Sequence, residues 1–213
     1  MNESPSRVYA GSTQAERQAR RRAALVDAAF ELIGEGGIQR ISAIAVCKRA
    51  GLNQRYFTES FRNTEELLVA AIDRTAAEAL EFGLEASGGF AAIDSSRAVE
   101  IISALIDFVA SDPGRKALMI EMQATPTMRA RRDDFVRAVA RIVETKAVGD
   151  AARTEQSQIT SLVLTHGALD TVTMWLAGTL DISREALISA LAGLMTAEAR
   201  SGGPFAVSPE PPQ

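Results

Sequence analysis

The chain of 213 residues has one cysteine, one histidine and one tryptophan, and aromatic residues make up 5% of it. The single Cys47 excludes an internal disulfide and suits a reducing compartment. With His166 alone, the histidine clusters behind most metal and acid–base centres cannot form, and no group of His, Cys and carboxylates has metal-ligand spacing. No N-terminal stretch has the basic-then-apolar order of a secretory leader. No uncharged apolar run reaches the ~20 residues that cross a bilayer. Gly34-Glu35-Gly36-Gly37 lacks the Lys-Ser/Thr of a phosphate loop. The expectation is a cytoplasmic chain that is not an enzyme, with no membrane partner, metal or cofactor. Few β-branched runs and abundant alanine favour an all-α fold over a sheet.

What is present centres on residues 41–61, ISAIAVCKRAGLNQRYFTESF. Ser42 is placed to cap a short helix. That helix carries Ile44 and Cys47 on one face, with Ala43, Val46 and Ala50 beside it. Gly51 stops it, because glycine enters the left-handed C-cap at little cost. Asn53 caps a second helix in which Phe57 and Phe61 turn inward, while Gln54, Arg55, Tyr56 and Thr58 project outward. The pattern predicts a helix-turn-helix, one helix bracing and the next offering polar side chains to a major groove. Cys47 reads as a small buried apolar residue, with a redox sensor as the alternative. The net charge of −4 argues against nucleic acid until it is mapped. Between Arg7 and Arg62 stand ten Arg or Lys against five Asp or Glu, so that segment is +5 and the remainder −9. One basic end on an acidic body is the asymmetry expected when only that end meets phosphate.

These residues resemble the TetR/AcrR family of bacterial transcription regulators. The family's amphipathic first helix and its glycine correspond to Arg22–Phe30 and Glu35-Gly36-Gly37. Its Ile-Ala-x-x-Ala-Gly segment corresponds to Val46-Cys47-Lys48-Arg49-Ala50-Gly51. Phe61 and Thr64-Glu65-Glu66-Leu67 occupy the places of its closing Phe and the start of helix four. The resemblance covers about the first third of the chain. It implies a dimeric, nucleoid-associated repressor that binds a double-stranded DNA operator and is released by a small apolar or amphipathic effector. Ser42, Asn53, Gln54, Arg55, Tyr56, Thr58, Arg62 and Thr64 then form the DNA-binding set. Thr58 and Thr64 depart from the Tyr and Lys common at those places, and each shortens or removes a phosphate contact. A helical small-molecule-binding or interaction protein without operator binding is the alternative that this departure keeps open.

Along the chain, helices are expected at roughly 15–35, 42–49, 53–59, 63–82, 94–111, 113–123, 127–148, 154–178 and 183–199. Breaks fall at Gly83, Ser87-Gly88-Gly89, Asp112-Pro113-Gly114, Thr125-Pro126 and Asp181-Ile182-Ser183. Residues 1–14 and 201–213 read as a disordered arm and tail. The division expected is a helix-turn-helix domain at 15–62 and a helical ligand-binding and dimerisation domain at 63–200. Leu25, Ala29, Leu32 and Ile33, flanked by Phe30, form a stripe that covers the helix-turn-helix core. Arg131-Arg132-Asp133-Asp134 reads as a solvated helix face. Helix eight is apolar on more than one side, so it either fills the centre of its own subunit or faces a partner. The resemblance favours a homodimer and an interface of Leu162, Leu169, Leu176, Leu187, Leu191 and Leu194. It also implies an effector cavity among the middle helices, with Leu105, Phe108, Met119, Met122, Phe135, His166 and Trp175 as candidate ligand-binding residues.

Overall fold

A computed structural model describes residues 13–86, 95–148 and 153–201. Most of the expected disordered arm and tail, and the Ser87-Gly88-Gly89 break, lie outside the described residues. Among the described residues there are nine α-helices and no strand: α1 Gln14–Gly36, α2 Ala43–Ala50, α3 Gln54–Ser60, α4 Thr64–Ala86, α5 Ser95–Ala110, α6 Pro113–Glu121, α7 Pro126–Val148, α8 Glu155–Leu176 and α9 Arg184–Ser201. A 3₁₀ turn at Ile38–Arg40 joins α1 to α2.

The helix ends follow local chemistry. Thr13 and Glu16 form a capping box that starts α1 at Gln14, one residue before the expected 15. Gly37 follows α1 at φ 75°, ψ −177°, a conformation essentially reserved for glycine. Asp112 caps α6, with Pro113 in its first turn. The expected break at Gly83 does not occur, and α4 runs on to Ala86. A glycine inside a helix costs only about 1 kcal/mol, and here Leu80, Gly83 and Leu84 together form one wall of a cavity.

One apolar core joins the small helices to the body. It runs from Leu25, Ala29, Phe30 and Ile33 of α1 through Val46, Cys47, Phe57, Phe61, Leu67 and Ile72 to Leu118, Met122 and Met128. The 15–62 unit is therefore packed into the body rather than hung from it. A second cluster is formed by Ile106, Leu187, Ile188 and Leu191, with Val172 and Trp175 against it.

Two charged groups depart from a solvated-face reading. Arg132 is buried and pairs with Asp170 of α8, which corrects the reading of Arg131-Arg132-Asp133-Asp134 as wholly solvated. Glu144 is also buried and accepts hydrogen bonds from Ser157 Oγ at 2.6 Å and Arg153 Nε at 2.9 Å, tying α7 to the start of α8. The Ser157 hydroxyl, and after it the Arg153 guanidinium, hold this carboxyl below its usual range against the opposing effect of burial. A carboxylate with a depressed pKa stabilises the fold above its unfolded pKa, and that contribution is lost as pH falls through the folded value. Glu144→Gln is expected to unfold at lower urea than wild type at pH 7, with the two midpoints converging only as pH falls below the ordinary carboxyl range and through the lowered folded value.

Candidate nucleic-acid interface and apolar cavity

The residues Cys47 to Asn53 form a tight turn between two helices. Gly51 adopts φ 65°, ψ 28°, and its N–H and that of Leu52 donate to the carbonyl of Cys47. Ser42 Oγ accepts from Ala45 N at 3.1 Å and Asn53 Oδ1 from Arg55 N at 3.0 Å, as capping requires. Phe57 and Phe61 are buried with ring centroids 5.8 Å apart, anchoring α3 and leaving its other face in solvent. Val46 and Cys47 are the buried residues of α2. Ile44 is not with them. It is 67% exposed, since a residue two before Val46 lies on the far side of the helix. Burial pushes the Cys47 thiol pKa up, the direction opposite to that of a reactive thiolate.

On the open face, Gln54, Arg55 and Thr58 are exposed and Tyr56 is half-buried. Arg55 Nε donates to Glu59 at 2.8 Å, and Thr58 Oγ1 donates to the Arg55 carbonyl at 2.9 Å. The Arg21 guanidinium lies 4.5 Å from the centroid of the Tyr56 ring and Arg22 4.7 Å from that of Phe61, so α1 brings its basic run alongside α3. Arg62, at the loop before α4, is exposed and pairs with Glu66. Thr64 opens α4 half-buried, beside Asn63, whose Oδ1 accepts from Glu66 N. Solvated i,i+4 pairs such as Arg55–Glu59 and Arg62–Glu66 contribute little and can yield to a better anion. Arg49 differs: it bridges Glu31 and Glu35 of α1 and clamps α2 to it. The structure therefore brings the eight expected residues to one end of the molecule. Asn53 and Ser42 serve there as caps, and Arg21, counted in the sequence among the basic residues of this end, stands beside Tyr56.

A cavity of about 360 Å³ lies among α4, α5, α6, α7, α8 and α9. Leu105, Met119, Met122 and Phe135 line it as expected; Phe108, His166 and Trp175 do not. Phe108 is taken up by stacking on Phe82 and by Arg115 4.2 Å from its ring centroid. Trp175 packs on the Ile106–Leu187 cluster, and its indole N–H donates to the Ile182 carbonyl at 3.1 Å. His166 is half-buried on α8 and does not reach the lining. Leu164, Ala168 and Val172 form the cavity wall instead. Their four-residue spacing was visible in the sequence; which face of α8 turned inward was not.

The expected dimer residues also divide. Leu176, Leu187 and Leu191 are buried inside the subunit, Leu187 to 1% exposure, and so have no surface left for a partner. Leu169 belongs to the cavity wall. Leu162 and Leu194 remain exposed, joined on α8 by Ile159 at 58%, Val163 at 64% and Met174 at 47%. Among the described residues the exposed apolar side chains of α8 are therefore Ile159, Leu162, Val163 and Met174, while Leu176 of α8 and Leu187 and Leu191 of α9 serve the core.

Helix α6 lies between the two regions. At its start, Gly114 crosses α1 so closely that a Cβ there would stand 2.4 Å from the Phe30 carbonyl oxygen. At its end, Glu121 accepts from Ile38 N at 3.2 Å. Leu118, Met119 and Met122 on the same segment line the cavity. Among the described residues no helix is long and apolar enough to cross a membrane, and no cluster of His, Cys and carboxylates could hold a metal.

Residues 25–71 match the family model of bacterial regulatory proteins of the tetR family. The fold is similar to a tetR-family transcriptional regulator from Streptomyces coelicolor, with TM-score 0.68 and 21% identity over 84% of this chain and 80% of that one. It is also similar to the transcriptional regulator FadR from Bacillus subtilis in complex with stearoyl-CoA, with TM-score 0.60 and 18% identity over 84% of this chain and 98% of that one. At these identities the likeness is one of fold. A comparison with curated protein sequences finds no match.

Proposed function

We propose that this chain, which carries the tetR-family segment at residues 25–71 on the helical body of a tetR-type regulator, is a homodimeric repressor released from its operator by a small apolar effector. The observation that carries the reading is α3. Its inner face is fixed by Phe57 and Phe61, its outer face is polar, and Arg21 and Arg22 flank it. A short helix held this way fits a major groove, with Gln54, Arg55 and Tyr56 meeting bases and Ser42, Thr58, Arg62 and Thr64 near phosphates. A structurally similar transcriptional regulator in complex with stearoyl-CoA and the apolar cavity support an effector role for the body.

The two regions are linked by α6. A ligand shifts an equilibrium only when it binds one state better than the other. Packing against Leu118 and Met119 can do so by moving α6, whose contacts with Phe30 and Ile38 set the position of α1. Selection from a pool of random duplexes supplies the operator for a direct test. With it, Arg55→Ala is expected to weaken binding roughly ten- to hundredfold at fixed salt, the loss of a base contact. Unchanged affinity would remove Arg55 from the interface. Failure of the wild-type chain to enrich any sequence would favour a binding protein without an operator.

A further inference from the structure

The lining of the cavity also bears on which molecules it admits. Among the described residues only Thr75 and Thr165 bring a side-chain oxygen or nitrogen to its wall. Thr75 Oγ1 donates to the Ala71 carbonyl at 3.0 Å and Thr165 Oγ1 to the Ser161 carbonyl at 2.7 Å. While its one proton stays on that carbonyl, each hydroxyl offers a guest lone pairs. The backbone around them is helical, and its N–H groups are spent within the helices. A carbonyl or carboxylate oxygen inside the cavity finds a donor only by drawing one of these hydroxyls off its helix carbonyl, and a charge there is costly without a partner. A hydroxyl guest finds an acceptor.

On its α4 side the opening does not favour an anion. The exposed wall residues Leu84, Ile142 and Leu194 mark it. Leu84 stands between Glu85 and, one turn back, Glu81 near the C-terminal end of α4, and no basic residue lies in that helix's last turn. A helix C-terminus adds negative potential of its own. Arg141, adjacent to Ile142, lies within electrostatic reach of Glu144, whose carboxyl it helps hold low.

We infer that the effector is an uncharged lipophile whose polar group, where it has one, is a hydroxyl or similar hydrogen-bond donor, and that carboxylates of the same length are rejected. This rests on the cavity being the effector site. The test uses the full chain loaded with pyrene as a neutral fluorescent probe and displaced at pH 8 by 1-decanol, decyl methyl ether or decanoate. Decanol is expected to bind about tenfold or more tighter than decanoate and tighter than the ether. Replacing both hydroxyls by Thr75→Val and Thr165→Val should weaken decanol about two- to tenfold and leave the ether unchanged. Decanoate binding as well as decanol overturns the inference, whether or not the variant folds, and so does a folded variant that holds decanol with wild-type affinity. Should none of the three displace pyrene, the cavity is not the effector site. Operator binding, measured separately, would still stand.

Discussion

Gly114→Ala is expected to destabilise the protein by about 1–3 kcal/mol, although glycine to alanine within a helix ordinarily stabilises by up to about 1 kcal/mol. The two effects oppose each other, and geometry decides between them. The added Cβ would stand 2.4 Å from the Phe30 carbonyl oxygen and 2.9 Å from its carbon, both backbone atoms that no rotamer change can withdraw. Either α6 backs away from α1 or α1 shifts, and Gly34, whose own Cβ position is 3.0 Å from Gly114 N, leaves no slack on the facing side. Because α6 also lines the cavity, the variant is expected to alter effector-coupled DNA release beyond its effect on stability. Thermal unfolding checks the first point, and effector titration of the operator complex checks the second. A Gly114→Ala variant as stable as wild type would show that the α1–α6 crossing is looser than described.

The second large effect concerns assembly. Ile159→Asp with Val163→Asp is expected to yield folded monomers, where wild type is expected to sediment as a dimer. Both side chains are more than half exposed in the subunit and lie one turn apart on the outward face of α8. The substitution therefore adds no charge to the subunit core, but it would place two carboxylates in an apolar seam, which is costly without partners. A monomer holds one recognition helix, so operator affinity should fall about a hundredfold or more through loss of the linked second contact. Leu187→Asp or Leu191→Asp would instead unfold the chain, since those positions are interior. A double variant that remains a dimer by sedimentation would move the interface away from α8.

The sequence carried the N-terminal region almost intact, because its rules are local. Ser42, Gly51 and Asn53 act within four residues of themselves, and the Phe57–Phe61 pair needs only helical spacing to face one way. The body was legible as helices but less so as surfaces. On α8 three faces compete: Leu164, Ala168 and Val172 towards the cavity, Trp175 and Leu176 towards the core, and Ile159 and Val163 outward. Hydrophobic periodicity marks all three alike, and only the packing of α5, α7 and α9 around α8 sorts them. The burial of Arg132 and Glu144 was hidden for the same reason. Each partner, Asp170 or Ser157, lies on another helix.

The central claim is that α3 reads a specific operator as one of a symmetric pair. Genome-wide occupancy of the intact chain, measured beside Arg55→Ala, tests it most directly. A small number of sharp sites is expected, sharing an inverted repeat whose halves lie about one DNA turn (~34 Å) or a multiple of it apart, and these sites should be lost in Arg55→Ala. Diffuse occupancy without a shared sequence, indistinguishable between wild type and Arg55→Ala, would contradict it.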